Sequence, residues 1–249
     1  MNYISELALD YLQLYQYPSF SNYGAILREA CQIYPPPHGK AWYGKLYRRH
    51  ALSHKWFSQS LVLNAKEEGQ GSRNVWELSQ HIANQEFAAL VRSHSIDESR
   101  HSKMFVTLCN ILFPSKMEAK EREKLKTLSP GYSKHYHPPT NLASSEEILG
   151  ESEAIDELIK INLLEIRALV LQLLLRPVLQ AYGEPQDVAK VTRMSDQFIE
   201  DETRHIAYSA YCIEKYIKQG NREWVRERLI QHQKFTNQFC LEGIELEGA

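Results

Sequence analysis

The chain has 249 residues, enough to bury a substantial core in one large domain or two small ones. Its formal net charge is −2, so no overall charge favours a nucleic acid or an anionic membrane as a partner. The four cysteines are scattered without a C-x-x-C pair, and the N-terminal residues lack the basic start of a signal peptide. We therefore expect reduced thiols, a cytoplasmic location and no membrane segment.

Helical patterns separated by glycine and proline account for most of the chain. In chain order, they predict helices over residues 3–15, 22–33, 40–68, 74–113, 117–125, 151–182, 185–218 and 221–242. The third helix is expected to end at Glu68 because the sequence GQGS follows it, and the fourth to start near Asn74. No segment alternates between apolar and polar residues with the period of a strand.

These elements predict an all-α fold of about seven long helices in a compact up-down bundle, folded as a single domain over residues 1–249. Residues 1–37 would form N-terminal helices that precede the main bundle. The main bundle would comprise residues 40–113 and 150–245. Between its two parts, residues 114–148 are rich in proline and small polar residues, which is typical of a structured loop or lid.

A charged pentapeptide occurs twice, each time inside a segment typical of buried helix: Asp97-Glu98-Ser99-Arg100-His101 and Asp201-Glu202-Thr203-Arg204-His205. On a helix, a Glu and a His three residues apart lie one turn apart on the same face, so both side chains reach one point in space. Carboxylate oxygen and imidazole nitrogen together suit iron or manganese. We predict that Glu98 with His101, and Glu202 with His205, each hold one metal ion.

The remaining charged residues of the two pentapeptides have two interpretations. Asp97, Arg100, Asp201 and Arg204 could form hydrogen bonds that orient the metal ligands. They could instead be ordinary ion pairs on two solvated helix faces, with no metal involved.

Glu165 is the second feature that points to a metal. It is the acidic residue in the middle of the apolar run KINLLEIRALVLQLLL, where a lone buried carboxylate costs several kcal/mol unless it is paired or metal-bound. Glu165 lies before the turn expected at Gly183, and Glu202 lies after that turn at almost the same distance along the chain. In an antiparallel hairpin these two side chains come level, so Glu165 is predicted to complete the site.

The duplicated string together with Glu165 resembles the metal helices of the non-haem di-iron carboxylate oxidases and oxygenases. One branch is the ferritin-like di-iron oxygenases, and resemblance to it implies a further Glu about thirty residues before the first pair, here Glu68 or its neighbour Glu67. The other branch is the haem-oxygenase-like di-iron oxidases (CADD-like and UndA-like proteins). Their three ligand helices, preceded by non-ligand helices and followed by a terminal one, are similar to residues 40–245.

Helix geometry favours the haem-oxygenase-like branch. If the fourth helix starts near Asn74, Glu98 lies about 36 Å along it at about 1.5 Å per residue, and Glu68 at the hairpin end is far from the site. That branch usually has a His four residues before its last acidic ligand, where this chain has Phe198, and an Asp where it has Glu202. His94, one turn before Glu98, could supply the missing ligand or pack beside the others.

The resemblance implies an enzyme, an O2-dependent oxidase or oxygenase with two iron ions, or with iron and manganese. Its substrate would be a small organic metabolite of the amino-acid, fatty-acid or arylamine type, and an external electron donor and a homodimer are compatible with it. An apolar substrate pocket is expected around the ligand helices, lined by Leu158, Ile161, Ala168, Leu169 and Phe198.

Two other classes of protein stay open. A ferritin-like store of iron or manganese would use the same ligands without oxidising an organic substrate. A metal-free structural bundle would be as stable, or more stable, with leucine in place of Glu165.

Overall fold

The computed structural model describes residues 3–114, 119–136 and 148–247. Every regular secondary-structure element in these ranges is a helix, which confirms the all-α class. The helices are α1 (Tyr3–Leu14), α2 (Ser21–Ile33), α3 (Ala41–Ala51), α4 (His54–His81), α5 (Gln85–Leu112), α6 (Ala119–Lys126), α7 (Glu151–Tyr182), α8 (Val188–Tyr216) and α9 (Arg222–Glu247), with a 3-10 turn at Pro37–Gly39 and a π-helical turn at Ile217–Asn221.

The predicted boundary between the third and fourth helices is wrong. The predicted helix 40–68 is divided into α3 and α4, and α4 continues through the GQGS sequence to His81. Ser53 caps the N-terminus of α4: its side chain accepts a hydrogen bond from the backbone N–H of Trp56. Asn84 caps the N-terminus of α5: its side-chain oxygen accepts hydrogen bonds from the backbone N–H groups of Glu86 and Phe87, at 3.1 and 3.2 Å.

Gly69 lies inside α4 because another segment of the chain needs the space beside it. A Cβ atom at Gly69 would overlap the backbone oxygen of Leu128. The same oxygen accepts a hydrogen bond from Arg73 Nη2 at 3.1 Å, and Ser129 Oγ donates to the backbone oxygen of Ser99 at 2.7 Å. Residues 127–133, which we call the strap, are thus fastened to both α4 and α5.

Backbone contacts divide the chain into two units. The first comprises residues 1–47, 152–174 and 198–249, in which α2 packs on α1 and α9. A buried glutamate, Glu214, accepts hydrogen bonds from the backbone N–H of Tyr23 at 2.8 Å and from Asn22 Nδ2 at 2.9 Å. This carboxylate therefore stabilises the start of α2, where backbone N–H groups lack helical partners.

The second unit comprises residues 48–151 and 175–197. Its main feature is the hairpin of α4 and α5, which pack along each other and are joined by Ile82–Asn84. Both units contain parts of α7 and of α8. The single-domain organisation stays a prediction. Of the predicted lid, residues 115–118 and 137–147 lie outside the described residues. Within the described ranges, no helix combines the length and apolar character needed to cross a membrane.

Side-chain hydrogen bonds place α7 and α8 antiparallel. Near the turn, Gln180 Nε2 donates to Thr192 Oγ1 at 3.0 Å. Farther from the turn, Asn162 Nδ2 donates to Ser209 Oγ at 2.9 Å. The antiparallel arrangement of these two helices is thus confirmed, since partners move apart in sequence with distance from the turn. The bonded pairs place Glu165 level with residues 206–207, about one turn beyond Glu202. Glu165 and Glu202 lie between the two bonded pairs.

The two glycines of α4 predict opposite effects of the same substitution. Gly69→Ala should lower the free energy of unfolding by about 1–3 kcal/mol, because the new methyl group displaces the strap. Gly71→Ala should raise it by about 0.5–1 kcal/mol through helix propensity, since its Cβ would meet only Glu98 Oε2, at an ordinary contact of 3.5 Å. Urea unfolding of both variants tests this, and equal shifts would contradict the role given to the strap.

Candidate metal centre

The α4–α5 hairpin brings four of the proposed ligands together. His101 Nδ1 lies 3.3 Å from Glu98 Oε1 and 3.6 Å from Glu68 Oε2. His94 Nε2 lies 3.4 Å from the same oxygen, Glu98 Oε1. The side chains of His94 and His101 are almost completely buried. Glu98 therefore lies between two imidazoles, with Glu68 beside the second.

The α7–α8 hairpin brings the remaining proposed ligands together. His205 Nδ1 lies 3.4 Å from Glu165 Oε2 and 3.5 Å from Glu202 Oε2. Gln172, two turns after Glu165 on α7, lies with its Nε2 3.5 Å from Glu202 Oε1, and its own Oε1 is buried without a hydrogen-bond partner. The sequence prediction omitted Gln172. Gln172 is a polar residue inside the apolar run ALVLQLLL. The same pattern that marked Glu165 could therefore have identified Gln172.

Potential ligand atoms fall into two groups, in each of which all atoms lie within 4.8 Å of one another. One group consists of His94, Glu98, Glu165 and His205, and the other of Glu68, His101 and Glu202. The chain therefore has a buried His/Glu arrangement that could hold a metal ion. This grouping differs from the predicted one, because the Glu and the His of each pentapeptide belong to different groups. Both Glu98 and Glu202 contact the imidazole of their own helix, so each carboxylate is close to both groups.

The geometric objection to Glu68 was wrong. It rested on a helix break at residues 69–72, but the hairpin turn is centred on Ala83. Glu68 and Glu98 are equally distant from Ala83 along the chain, one before it and the other after it, so the two carboxylates are level.

The other charged residues of the pentapeptides form ion pairs along their own helices. Arg100 Nη2 lies 2.9 Å from Asp97 Oδ1, and Arg204 pairs with Asp201 in the same way. Each aspartate is buried while its arginine reaches towards solvent. These pairs are therefore not the fully solvated pairs that the metal-free interpretation assumed, although their role in orienting ligands stays a prediction.

The residues proposed for an apolar substrate pocket lie in or near the core. Leu158, Leu169 and Phe198 are fully buried, and Ile161 and Ala168 are half-buried. A groove of about 600 Å³ opens elsewhere, between α1 and α2, and none of these five residues lines it. Its lining includes Glu6 and Arg28, which form an ion pair at 2.7 Å, so this groove is more polar than the predicted pocket. The pocket around the ligand helices stays a prediction.

Two neighbouring carboxyls of the α4–α5 hairpin have opposite pKa shifts. Burial, together with the negative charge of Glu98, holds the pKa of Glu68 well above its ordinary value of 4.5. Burial also acts to raise the pKa of Glu98, but hydrogen bonds from His101 and His94 outweigh it and hold that pKa well below 4.5. In the metal-free protein, Glu68 thus retains a proton more readily than Glu98, and a metal ion would displace it.

Fold and site together define an all-helical protein with a buried His/Glu arrangement that could hold a metal ion. No protein-family model matches the chain, and neither a curated protein nor a solved structure matches it.

The raised pKa of Glu68 predicts how stability depends on pH. A carboxyl whose pKa is higher in the folded state than its ordinary 4.5 makes the metal-free fold lose stability as the pH rises above that value. Glu68→Gln stays neutral, so it should unfold at higher urea than the wild type at mildly alkaline pH, with the advantage shrinking in acid. Chelator-treated protein is the sample. The exposed neighbour provides the control: Glu67→Gln should show no such pH-dependent advantage.

Proposed function

We propose that this protein is an O2-dependent non-haem di-iron oxidase or oxygenase acting on a small organic metabolite. The observation that carries this proposal is the pair of ligand groups, each made of buried carboxylates and imidazoles. Seven side chains from four helices converge there, in a chain whose sequence repeats the Glu-x-x-His spacing. Such a donor set suits iron or manganese and lacks the thiolates typical of structural zinc sites.

The charge of the two groups fits two divalent cations. Four glutamates, Glu68, Glu98, Glu165 and Glu202, would carry four negative charges when ionised, and the three histidines would bind as neutral ligands. Two divalent ions would balance these charges, which the buried position otherwise makes costly. Glu98 and Glu202, each near both groups, are among the carboxylates that would hold the ions.

The two positions are unequal. One group offers two imidazoles and two carboxylates, while the group of Glu68, His101 and Glu202 offers one imidazole and two carboxylates. A position with fewer protein ligands leaves more room for a ligand from solution. Iron bound there would supply the activation of O2. His94 thus takes the place of the ligand that the sequence left unassigned.

The chain's own side chains would orient the ligands and exclude water. Gln172 donates towards Glu202 and so restrains its carboxylate, while its unpartnered Oε1 is a polar atom available to a bound molecule. The buried side chains of Leu158, Leu169 and Phe198 provide the apolar surroundings that an organic substrate needs. We propose a cytoplasmic location, a small-molecule substrate and an external electron donor as the partners of this reaction.

A metal store would share the ligands but not the reaction. If the protein is a store, it should oxidise added iron, and an organic substrate should not change its O2 consumption. The buried Oε1 of Gln172, which has no hydrogen-bond partner, supports the enzyme, because a store has no need of a polar atom for an organic molecule.

Metal counting with O2 measurement tests the proposal. Anaerobic addition of Fe(II) followed by desalting should leave two iron ions per chain, and the reduced protein should then consume O2. Fewer than one ion per chain would contradict the proposal, whereas iron bound without substrate-dependent O2 consumption across a metabolite screen would favour the store. His101→Ala and His205→Ala should each lose metal, because each removes an imidazole from a different group.

Replacing Glu165 separates the metal proteins from a metal-free bundle. In wild type, metal at about 100 times its dissociation constant should raise the free energy of unfolding by about 2.7 kcal/mol. Glu165→Leu should lose most of this increment, since it removes one carboxylate of the larger ligand group. Glu153→Leu, an exposed change on the same helix, should retain it. If metal stabilises neither the wild type nor Glu153→Leu, the helices form a structural bundle.

A further inference from the structure

Gly71 is an interior glycine of α4 that the strap does not explain. Gly69, two residues earlier, leaves room for the backbone of Leu128. At Gly71, by contrast, a Cβ atom would have one neighbour within 4 Å among the described atoms, namely Glu98 Oε2 at 3.5 Å. A glycine inside a helix costs about 0.5–1 kcal/mol relative to alanine, and no packing contact accounts for it here.

The position of Gly71 places this free space beside the ligands. Gly71 lies three residues after Glu68, one turn along the same face of α4, and it is half-buried at the surface of that helix. The Glu68 and Glu98 side chains are 16% and 12% exposed, whereas that of His101 is 0% exposed. Solvent therefore reaches the carboxylates of this hairpin while their imidazole partner is sealed.

We propose that the free space at Gly71 is the entrance through which divalent metal ions reach the centre and leave it. This inference rests on the proposed function, because it takes Glu68 and Glu98 to be metal ligands. A cation arriving at the surface of α4 meets the Glu98 carboxylate at Gly71, with Glu68 one turn away. Negative groups at the mouth of such an opening attract cations and raise their local concentration.

The absence of a side chain at position 71 is the property that the entrance requires. A methyl group fits at an ordinary contact distance from Glu98 Oε2. A longer side chain starting from the same Cβ would extend over that carboxylate and cover it. The bulk of the residue at position 71 should therefore control the rate of metal exchange without removing any ligand.

Metal release from a graded series of variants tests this inference. Wild type, Gly71→Ala, Gly71→Leu and Gly71→Phe would be loaded with Fe(II) anaerobically, and loss of iron to a coloured chelator would then be followed. Release should slow in that order, reaching about tenfold in Gly71→Phe, the factor that a barrier higher by about 1.4 kcal/mol produces. The number of ions bound per chain should stay the same throughout.

Gln70→Phe is the matched control, since Gln70 is the exposed neighbour on the same helix. It should release iron at the wild-type rate. If Gly71→Phe fails to fold, Gly71→Leu decides the matter. Wild-type release rates in the bulky variants, with full iron content, would overturn the entrance and leave the proposed function standing. A wild-type protein that binds no iron would overturn both.

Discussion

The burial of four glutamates among helices is the constraint on which the rest of the structure depends. Carboxylates with restricted access to water are costly to ionise: burial raises the pKa of Glu68, and the negative charge of Glu98 raises it further. Nearby imidazoles relieve part of this cost, as the lowered pKa of Glu98 shows. Cations would relieve the remainder. The turn between α4 and α5 places Glu68 beside Glu98, and the turn between α7 and α8 places Glu165 and Glu202 beside the same imidazole, that of His205.

Much of this arrangement could be predicted from sequence, because it depends on periodicity within single helices. The Glu-x-x-His spacing places each pair on one face, and the apolar run around Glu165 marks that carboxylate as buried. The antiparallel pairing of α7 and α8 followed from the turn predicted at Gly183, and the register predicted from chain length differs from the observed one by about one turn. These inferences use only local geometry, which the sequence carries directly.

Glu68 was misplaced because its position depends on a contact that no local pattern reveals. Two glycines close together are a strong signal for a helix end. In the folded chain, Gly69 instead accommodates the backbone of Leu128, which lies far along the sequence. The true boundary is marked more weakly, by Asn84, whose side chain caps the start of α5. Gln172 was missed for a different reason: burying a neutral amide costs less than burying a carboxylate, so an amide in an apolar run is weaker evidence for a site.

The construction of the site from two hairpins has a consequence for how the protein acquires its shape. Ligands on α4 and α5 are joined by one short turn between adjacent helices, and so are those on α7 and α8. Contacts between residues close in sequence form faster than distant ones, because less loop entropy is lost. Each hairpin can therefore assemble its own carboxylates and imidazoles early in folding.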